Sequence, residues 1–300
     1  MSLTYGVAAL ARPTFDVPFA EEMKNRAFAA LQAAGIRTVG PRELLFDRAA
    51  AEQAVAAIAA AGPIDLLLIL QVTFTDATMT VKLAREATTP IGIWALPEPR
   101  SGGRLRLNAY CGLNLAAHAL GRAGVPHGWL YAAPDAPGLE ASLRDLARPA
   151  TAMPTRARPV PAVVDAQADR VLESLRGAKI TVVGQHPDGF DTCEYDADLL
   201  SKLAGIRVET VQLGHLFDKA RGMDPARVGA ARAGAADELD GLDGVDQEQL
   251  DRSFRVFCAL EDVQQESRAK GLAVRCWPEM FTEYGCAACG PMAMMNQKQV

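Results

Sequence analysis

The chain has little cysteine, no long apolar run and no excess of basic residues. Six cysteines are spread over 300 residues, too sparse for a disulfide scaffold and in keeping with a reducing cytoplasm. The longest apolar run, residues 64–72, contains Asp65 and Gln71 and is far too short to span a bilayer. A formal net charge of −5 provides no electrostatic footprint for nucleic acid or an anionic membrane. The first fifteen residues lack a basic segment followed by an apolar core, so no export signal is expected. No phosphate-binding P-loop, glycine-rich dinucleotide turn or Gly-x-Ser-x-Gly elbow occurs, which leaves nucleotide and serine-hydrolase chemistry unsupported. These absences imply a cytoplasmic protein with neither nucleic acid nor membrane as partner.

What is present is ordinary globular chemistry, 49% hydrophobic and 22% charged. The length suits two domains, each with its own core. Strand-like runs at 5–11, 36–39, 64–72, 91–96 and 128–131 alternate with Ala-rich amphipathic stretches at 19–34, 50–61, 77–87 and 113–123. That alternation predicts βαβ units in a parallel sheet, of flavodoxin-like order 2-1-3-4-5. Gly35 and Gly62 follow two of the helical stretches, where helix C-termini favour glycine. From 147 to 163 the chain is punctuated by Pro149, Pro154, Pro159 and Pro161, as in a linker. A second α/β series follows, with helices over 166–176 and 195–204 and strands at 179–183, 206–213 and 272–276. The expected organisation is two doubly wound, flavodoxin- or Rossmann-like parallel-sheet domains. They cover 1–150 and 164–300, with a Pro-rich linker or crossover at 151–163.

Doubly wound sheets bind ligands beyond the carboxyl ends of their strands, where the order reverses. In the first domain this selects the loops Arg12-Pro13-Thr14-Phe15-Asp16 and Gln71-Val72-Thr73-Phe74-Thr75-Asp76. Each offers an aromatic ring and a carboxylate, and the first adds a guanidinium, a mixture suited to a polyhydroxylated ligand. Asp16 and Asp76 could instead simply cap the helices that follow. His118 is either a ligand-facing group or a structural histidine on a small-residue helix. A basic loop with Arg100, Arg104 and Arg106 could grip an anion or stay solvated. In the second domain, Gln185-His186-Pro187-Asp188-Gly189-Phe190 follows the first strand and Trp277-Pro278-Glu279 a later one. If those strands are neighbours, His186, Asp188, Trp277 and Glu279 share one crevice. An apolar wall of Trp277 would favour the protonated form of Glu279. Cys286 and Cys289 have a redox or zinc spacing, but no second pair completes a zinc site. They are read as small buried residues on a helix.

Several of these segments, taken in order, resemble the L-fucose and L-arabinose isomerase superfamily, in its fucose isomerase-like branch. Arg12-Pro13-Thr14-Phe15-Asp16 is similar to an Arg-Pro-Thr-hydrophobic-Asp loop of that family. Asn114-Leu115-Ala116-Ala117-His118 is similar to a segment whose histidine reaches a neighbouring subunit's site. His186 to Cys193 and Arg275-Cys276-Trp277-Pro278-Glu279 also fit the family pattern. The resemblance implies a ketol isomerase that interconverts a sugar aldose and ketose through an enediol, usually with bound Mn²⁺. It further implies a homo-oligomer with shared sites. Arg12, Phe74 and His118 would line the substrate pocket of an adjacent subunit and Trp277 and Glu279 that of their own, with Asp16 and Asp76 also among the substrate-binding residues. Family members continue well past the position of residue 300, and the metal ligands and acid–base pair implied by the resemblance are expected there. A fragment or a shortened, non-catalytic sugar-binding relative are then the two expectations for the sequence as it stands.

Overall fold

The computed structural model describes residues 3–100, 105–148 and 166–298. The linker expected over 151–163, and Arg104 of the basic loop, lie outside the described residues. The chain divides into two compact units. Unit 1 comprises Met1–Arg158 together with Asp188–Cys193, and unit 2 comprises Pro159–Pro187 and Glu194–Val300.

Unit 1 is built on five parallel strands: β1 (Thr4–Leu10), β2 (Arg37–Val39), β3 (Leu66–Gln71), β4 (Ile91–Ala95) and β5 (His127–Tyr131). Their spatial order is β2-β1-β3-β4-β5, as the alternation of the sequence predicts. Every residue of β1, β3 and β4 is buried, because a parallel strand covered by helices on both faces must be apolar throughout. That explains runs such as Leu66-Leu67-Leu68-Ile69-Leu70. The edge strands β2 and β5 are partly exposed. The crossovers are α1 (Val17–Ala33), α2 (Arg48–Ala60), α3 (Thr78–Glu86) and α4 (Ala109–Arg122), and α5 (Leu139–Asp145) follows β5. The turn residues Pro137-Gly138 conceal this last short helix in the sequence. The Tyr5 hydroxyl donates to the Leu143 carbonyl over 2.6 Å, tying α5 beneath the sheet. Burial pushes the pKa of Tyr5 up to about 12.

Unit 2 carries three parallel strands, β6 (Lys179–Val183), β7 (Arg207–Val211) and β8 (Gly271–Val274), in the order β7-β6-β8. Its helices are α6 (Ala166–Leu175), α7 (Ala197–Ala204), α8 (Leu213–Arg221), α9 (Pro225–Ala236), α10 (Gln247–Ser267) and α11 (Cys289–Gln297). The core gathers on α10, whose Phe254, Val256, Phe257, Leu260 and Val263 are buried. Asp246 caps that helix by accepting from the Gln249 N–H at 2.9 Å. A π-helical turn, Met280–Tyr284, lies between β8 and α11. Cys286 is buried but precedes α11, and Cys289 opens the helix and is exposed. The expectation of two buried helical thiols is therefore corrected. The tight turn that ends at Gly285 stops the π-helix before residue 286 and leaves Cys289 at a helix end facing solvent.

Candidate active site

Three loops at the carboxyl ends of the unit 1 strands are stitched together by backbone hydrogen bonds. The loop after β1 meets the segment before α4 where the Asp16 N–H donates to the Arg106 carbonyl at 3.1 Å. The loop after β3 joins that segment where the Phe74 N–H donates to the Leu107 carbonyl at 2.7 Å. The Arg12 N–H donates to Thr73 Oγ1 at 2.8 Å, which links the first and second loops. Glu98, just beyond β4, accepts from the backbone N–H groups of Arg106, Leu107 and Asn108, at 2.9 and 2.7 Å for the last two. These bonds hold Asn108 at a φ of 51° as α4 begins. Glu98 is a positioning residue that the sequence reading misses. Its only local signal is a carboxylate between Pro97 and Pro99 after a strand.

Within this frame the Arg12 guanidinium forms an ion pair with Asp76 and donates to the Phe46 carbonyl at 2.9 Å. Asp76 is 3% exposed. Its other oxygen accepts from both the N–H and the hydroxyl of Thr78, the former at 2.9 Å. Asp76 thus satisfies the start of α3, as the capping alternative expects, and also neutralises Arg12. Asp16 caps α1 by accepting from the Phe19 N–H at 3.0 Å and also accepts from Arg106 Nε at 2.8 Å. The Phe19 N–H and the Arg106 hydrogen bond hold its carboxyl below the ordinary carboxylate value. Arg106 lies over the Phe19 ring, 3.7 Å from its centroid.

Phe74 stands between two other rings, 6.0 Å from Phe15 and 5.7 Å from Phe190. Phe190 comes from Asp188–Cys193, the six-residue segment that groups with unit 1. Gly189 anchors it, accepting from the Ala77 N–H at 3.1 Å. At this residue φ is +76°, and an added Cβ would lie 2.9 Å from Asp76 Oδ1 and 3.0 Å from Ala77 N. Only glycine combines that backbone with such close approach. Arg122 of α4 donates to the Asp191 carbonyl at 3.2 Å. Asp188-Gly189 is thus a clasp over the start of α3.

Beneath the second loop, fully buried Gln71 donates to the Thr73 carbonyl at 2.7 Å and to Thr75 Oγ1 at 2.9 Å. Gly112 of α4 faces its amide, and a Cβ there would lie 2.7 Å from Nε2. His118 and Asn114, one turn apart on α4, share its exposed face. The structure therefore gathers Arg12, Phe74 and Asp76 into one cluster, joins Asp16 to it through Arg106, and leaves His118 on a solvent-facing helix surface.

In unit 2, β6 and β8 are neighbours, and the loops after them meet where Arg275 donates to the Gln185 carbonyl at 3.1 Å. Glu279 forms a two-pronged ion pair with Arg275, with Nε to Oε2 at 2.7 Å. Its setting thus includes a charge partner that the sequence reading does not anticipate, and Trp277, two residues before it, is half-buried. Asp188 leaves this group for unit 1. Among the described residues, no cluster of three or more His, Cys, Asp and Glu could hold a metal ion. Cavities of about 270 Å³ between α2 and α3 and about 530 Å³ among α9, α10 and α11 are lined by none of the seven candidate residues.

Residues 6–154, the stretch holding the three stitched loops, match the family described as fucose/sulfoquinovose isomerase, N-terminal domain. The chain belongs to the fucose isomerase-like family. The sulfoquinovose isomerase of Alkalicoccus urumqiensis is 26% identical over 238 residues, covering 79% of this chain and 49% of that protein. The sulfoquinovose isomerase of Priestia aryabhattai is 25% identical over 288 residues, covering 96% of this chain and 60% of that protein. This fucose isomerase-like chain thus spans roughly half of the length of the curated relatives it matches. Among solved structures, the glucose-galactose binding protein GanP from Geobacillus stearothermophilus covers 99% of the chain at a TM-score of 0.25 and 12% identity, too slight a likeness to bear on function. No helix among the described residues is long and apolar enough to cross a membrane.

Proposed function

We propose that this chain supplies the sugar-binding part of an aldose–ketose isomerase whose substrate is a small aldose, with a sulfonated hexose the first to test. The observation that carries this reading is the Arg12–Asp76–Phe74 cluster at the β1/β3 switch point, inside the stretch that matches the isomerase family. A half-buried, neutralised arginine whose loop is bonded to the one carrying Phe74 brings a guanidinium and an aromatic ring together, a combination that suits a hydroxylated chain. Substrate binding is assigned to Arg12, Asp16, Phe74, Asp76 and His118 of unit 1 and to Trp277 and Glu279 of unit 2. The relatives' printed name supports the sulfonated substrate. The reaction proposed is proton exchange between C1 and C2 through an enediol, in a homo-oligomer in the cytoplasm. The divalent metal implied by the family, Mn²⁺, would need ligands other than the described residues, so no step is routed through it.

Calorimetric titration with sulfoquinovose, glucose and L-fucose, with NMR in deuterated water following exchange at C2, tests the reading. Binding of one of these sugars is expected, with its loss in Arg12→Ala and Phe74→Ala. Absence of binding to all three would overturn it. Exchange at C2 is expected only in a longer gene product that adds the metal ligands; sugar binding with no exchange even there would assign the chain to the second reading, a non-catalytic sugar-binding protein built on the same fold.

A further inference from the structure

The guanidinium of Arg106 is fixed from several sides and still has an edge left over. The Arg106 N–H donates to Glu98 and the Arg106 carbonyl accepts from the Asp16 N–H at 3.1 Å, so the backbone that carries it is tied to two loops. The side chain lies on the Phe19 ring, 3.7 Å from its centroid, and Nε donates to Asp16 Oδ2 at 2.8 Å. Both Asp16 oxygens are then committed, since Oδ1 accepts from the Phe19 N–H at 3.0 Å. The Glu98 carboxylate is likewise taken up by three backbone N–H groups. What remains are the two Nη groups, which have no partner among the described residues, on a side chain that is 48% exposed. An exposed arginine ordinarily keeps its rotamer freedom, and ordering it costs entropy. Here the ring and the Asp16 bond have already removed that freedom, so an anion arriving at the Nη edge finds it preorganised.

We propose that Arg106 is the specificity-determining residue for a sugar bearing a sulfonate or phosphate group, which its two Nη atoms grip as a fork. This rests on the sugar-binding reading above and adds to it the charge of the bound sugar. Two adjacent N–H donors match two oxygens of a tetrahedral anion, and a guanidinium is more weakly hydrated than an ammonium. The residue is also joined to the Arg12–Phe74 cluster. Leu107, the next residue, accepts from the Phe74 N–H at 2.7 Å, and Phe15, the residue before Asp16, places its ring 6.0 Å from that of Phe74. Arg12 is less suited to an anion, because Asp76 already neutralises it and the Phe46 carbonyl takes another of its donors. Asp16 is bonded at Nε and at neither Nη, so its charge tempers the attraction without closing the fork.

Calorimetric titration of the whole chain, of Arg106→Gln and of Arg106→Lys with sulfoquinovose, glucose 6-phosphate and glucose is the test. The native chain is expected to hold one or both charged sugars at least about tenfold more tightly than glucose. Arg106→Gln should weaken the charged sugar by about thirtyfold, the loss expected for a two-pronged charge-assisted contact, and leave glucose nearly unchanged. Arg106→Lys, which keeps the charge and loses the fork, should fall between them. The preference between the two charged sugars tells whether the edge takes a sulfonate or a phosphate. Equal weakening of charged and neutral sugars would show that Arg106 only braces the Asp16 loop, and would overturn the proposal, as would undiminished binding of the charged sugars. Should Arg106→Gln fold poorly by circular dichroism, Arg106→Lys decides, since it must lose affinity for the charged sugar and keep that for glucose. Glucose binding by the native chain with no gain from either charged group would end this proposal and leave the sugar-binding reading standing, whereas binding of no sugar at all would end both.

Discussion

Arg12 and Asp76 are the pair on which the unit 1 cluster depends, and each would be costly to keep without the other. Removing one member of a buried pair leaves the second charge uncompensated, a loss of about 3 kcal/mol where water retains some access. Asp76→Ala should lower stability by that amount in urea, read from the fluorescence of Trp94, which is fully buried in unit 1. Asp76→Asn, which keeps an oxygen for the Thr78 N–H, should lose less. Asp16 has a lowered pKa because of the Phe19 N–H and Arg106. The unfolded chain therefore takes up this proton first as the pH falls through 3.8, and the stabilisation is lost as the pH continues down through the lowered folded value. In Asp16→Asn the thermal midpoint should fall less steeply over that acid range, while above it the two proteins should run parallel. The candidacy of both carboxylates is legible in the sequence, since each follows a strand and precedes a helix. Their partners are not. Nothing local to Arg12 points to Asp76, 64 positions away, because the pairing follows from β1 lying beside β3.

The stitched loops depend in turn on how closely α4 approaches β3. Gly112 permits that approach, and Gln71 uses it to fix the Thr73 and Thr75 turns. Gly112→Ala would drive a methyl group into a fully buried amide and break bonds that have no replacement nearby. The cost is about 2 kcal/mol, typical of overpacking a close-packed interior. Denaturation midpoints for this variant and for Gly121→Ala, where an added Cβ meets nothing within 4 Å, supply the comparison. Apart from α5, the helices and strands of unit 1 stand within a few residues of where the apolar periodicity puts them, and the strand order is the expected one. Buried parallel strands announce themselves as unbroken apolar runs. Glu98 and the Gly112–Gln71 contact are invisible at that level, because both act on backbone or side chains brought near only by the completed sheet.

Each unit has its own apolar core, yet the chain does not divide between them at one point. After β6 it supplies Asp188–Cys193 to unit 1 and then resumes unit 2. A fragment ending at Arg158 would leave Phe74 without Phe190 and the Ala77 N–H without the Gly189 carbonyl. It should unfold at lower urea than unit 1 does in the whole chain, again read at Trp94. Adding a synthetic peptide of residues 186–195 should recover part of the difference, and equal midpoints would deny the clasp any role. Nothing in the hydropathy of the 188–193 stretch signals this, because it reads as an ordinary polar turn after a strand. The same threading constrains inheritance. A recombination between two diverged parents at position 158 would join the α3 entrance of one to the clasp of the other, so these two short stretches must drift in step although more than a hundred codons separate them.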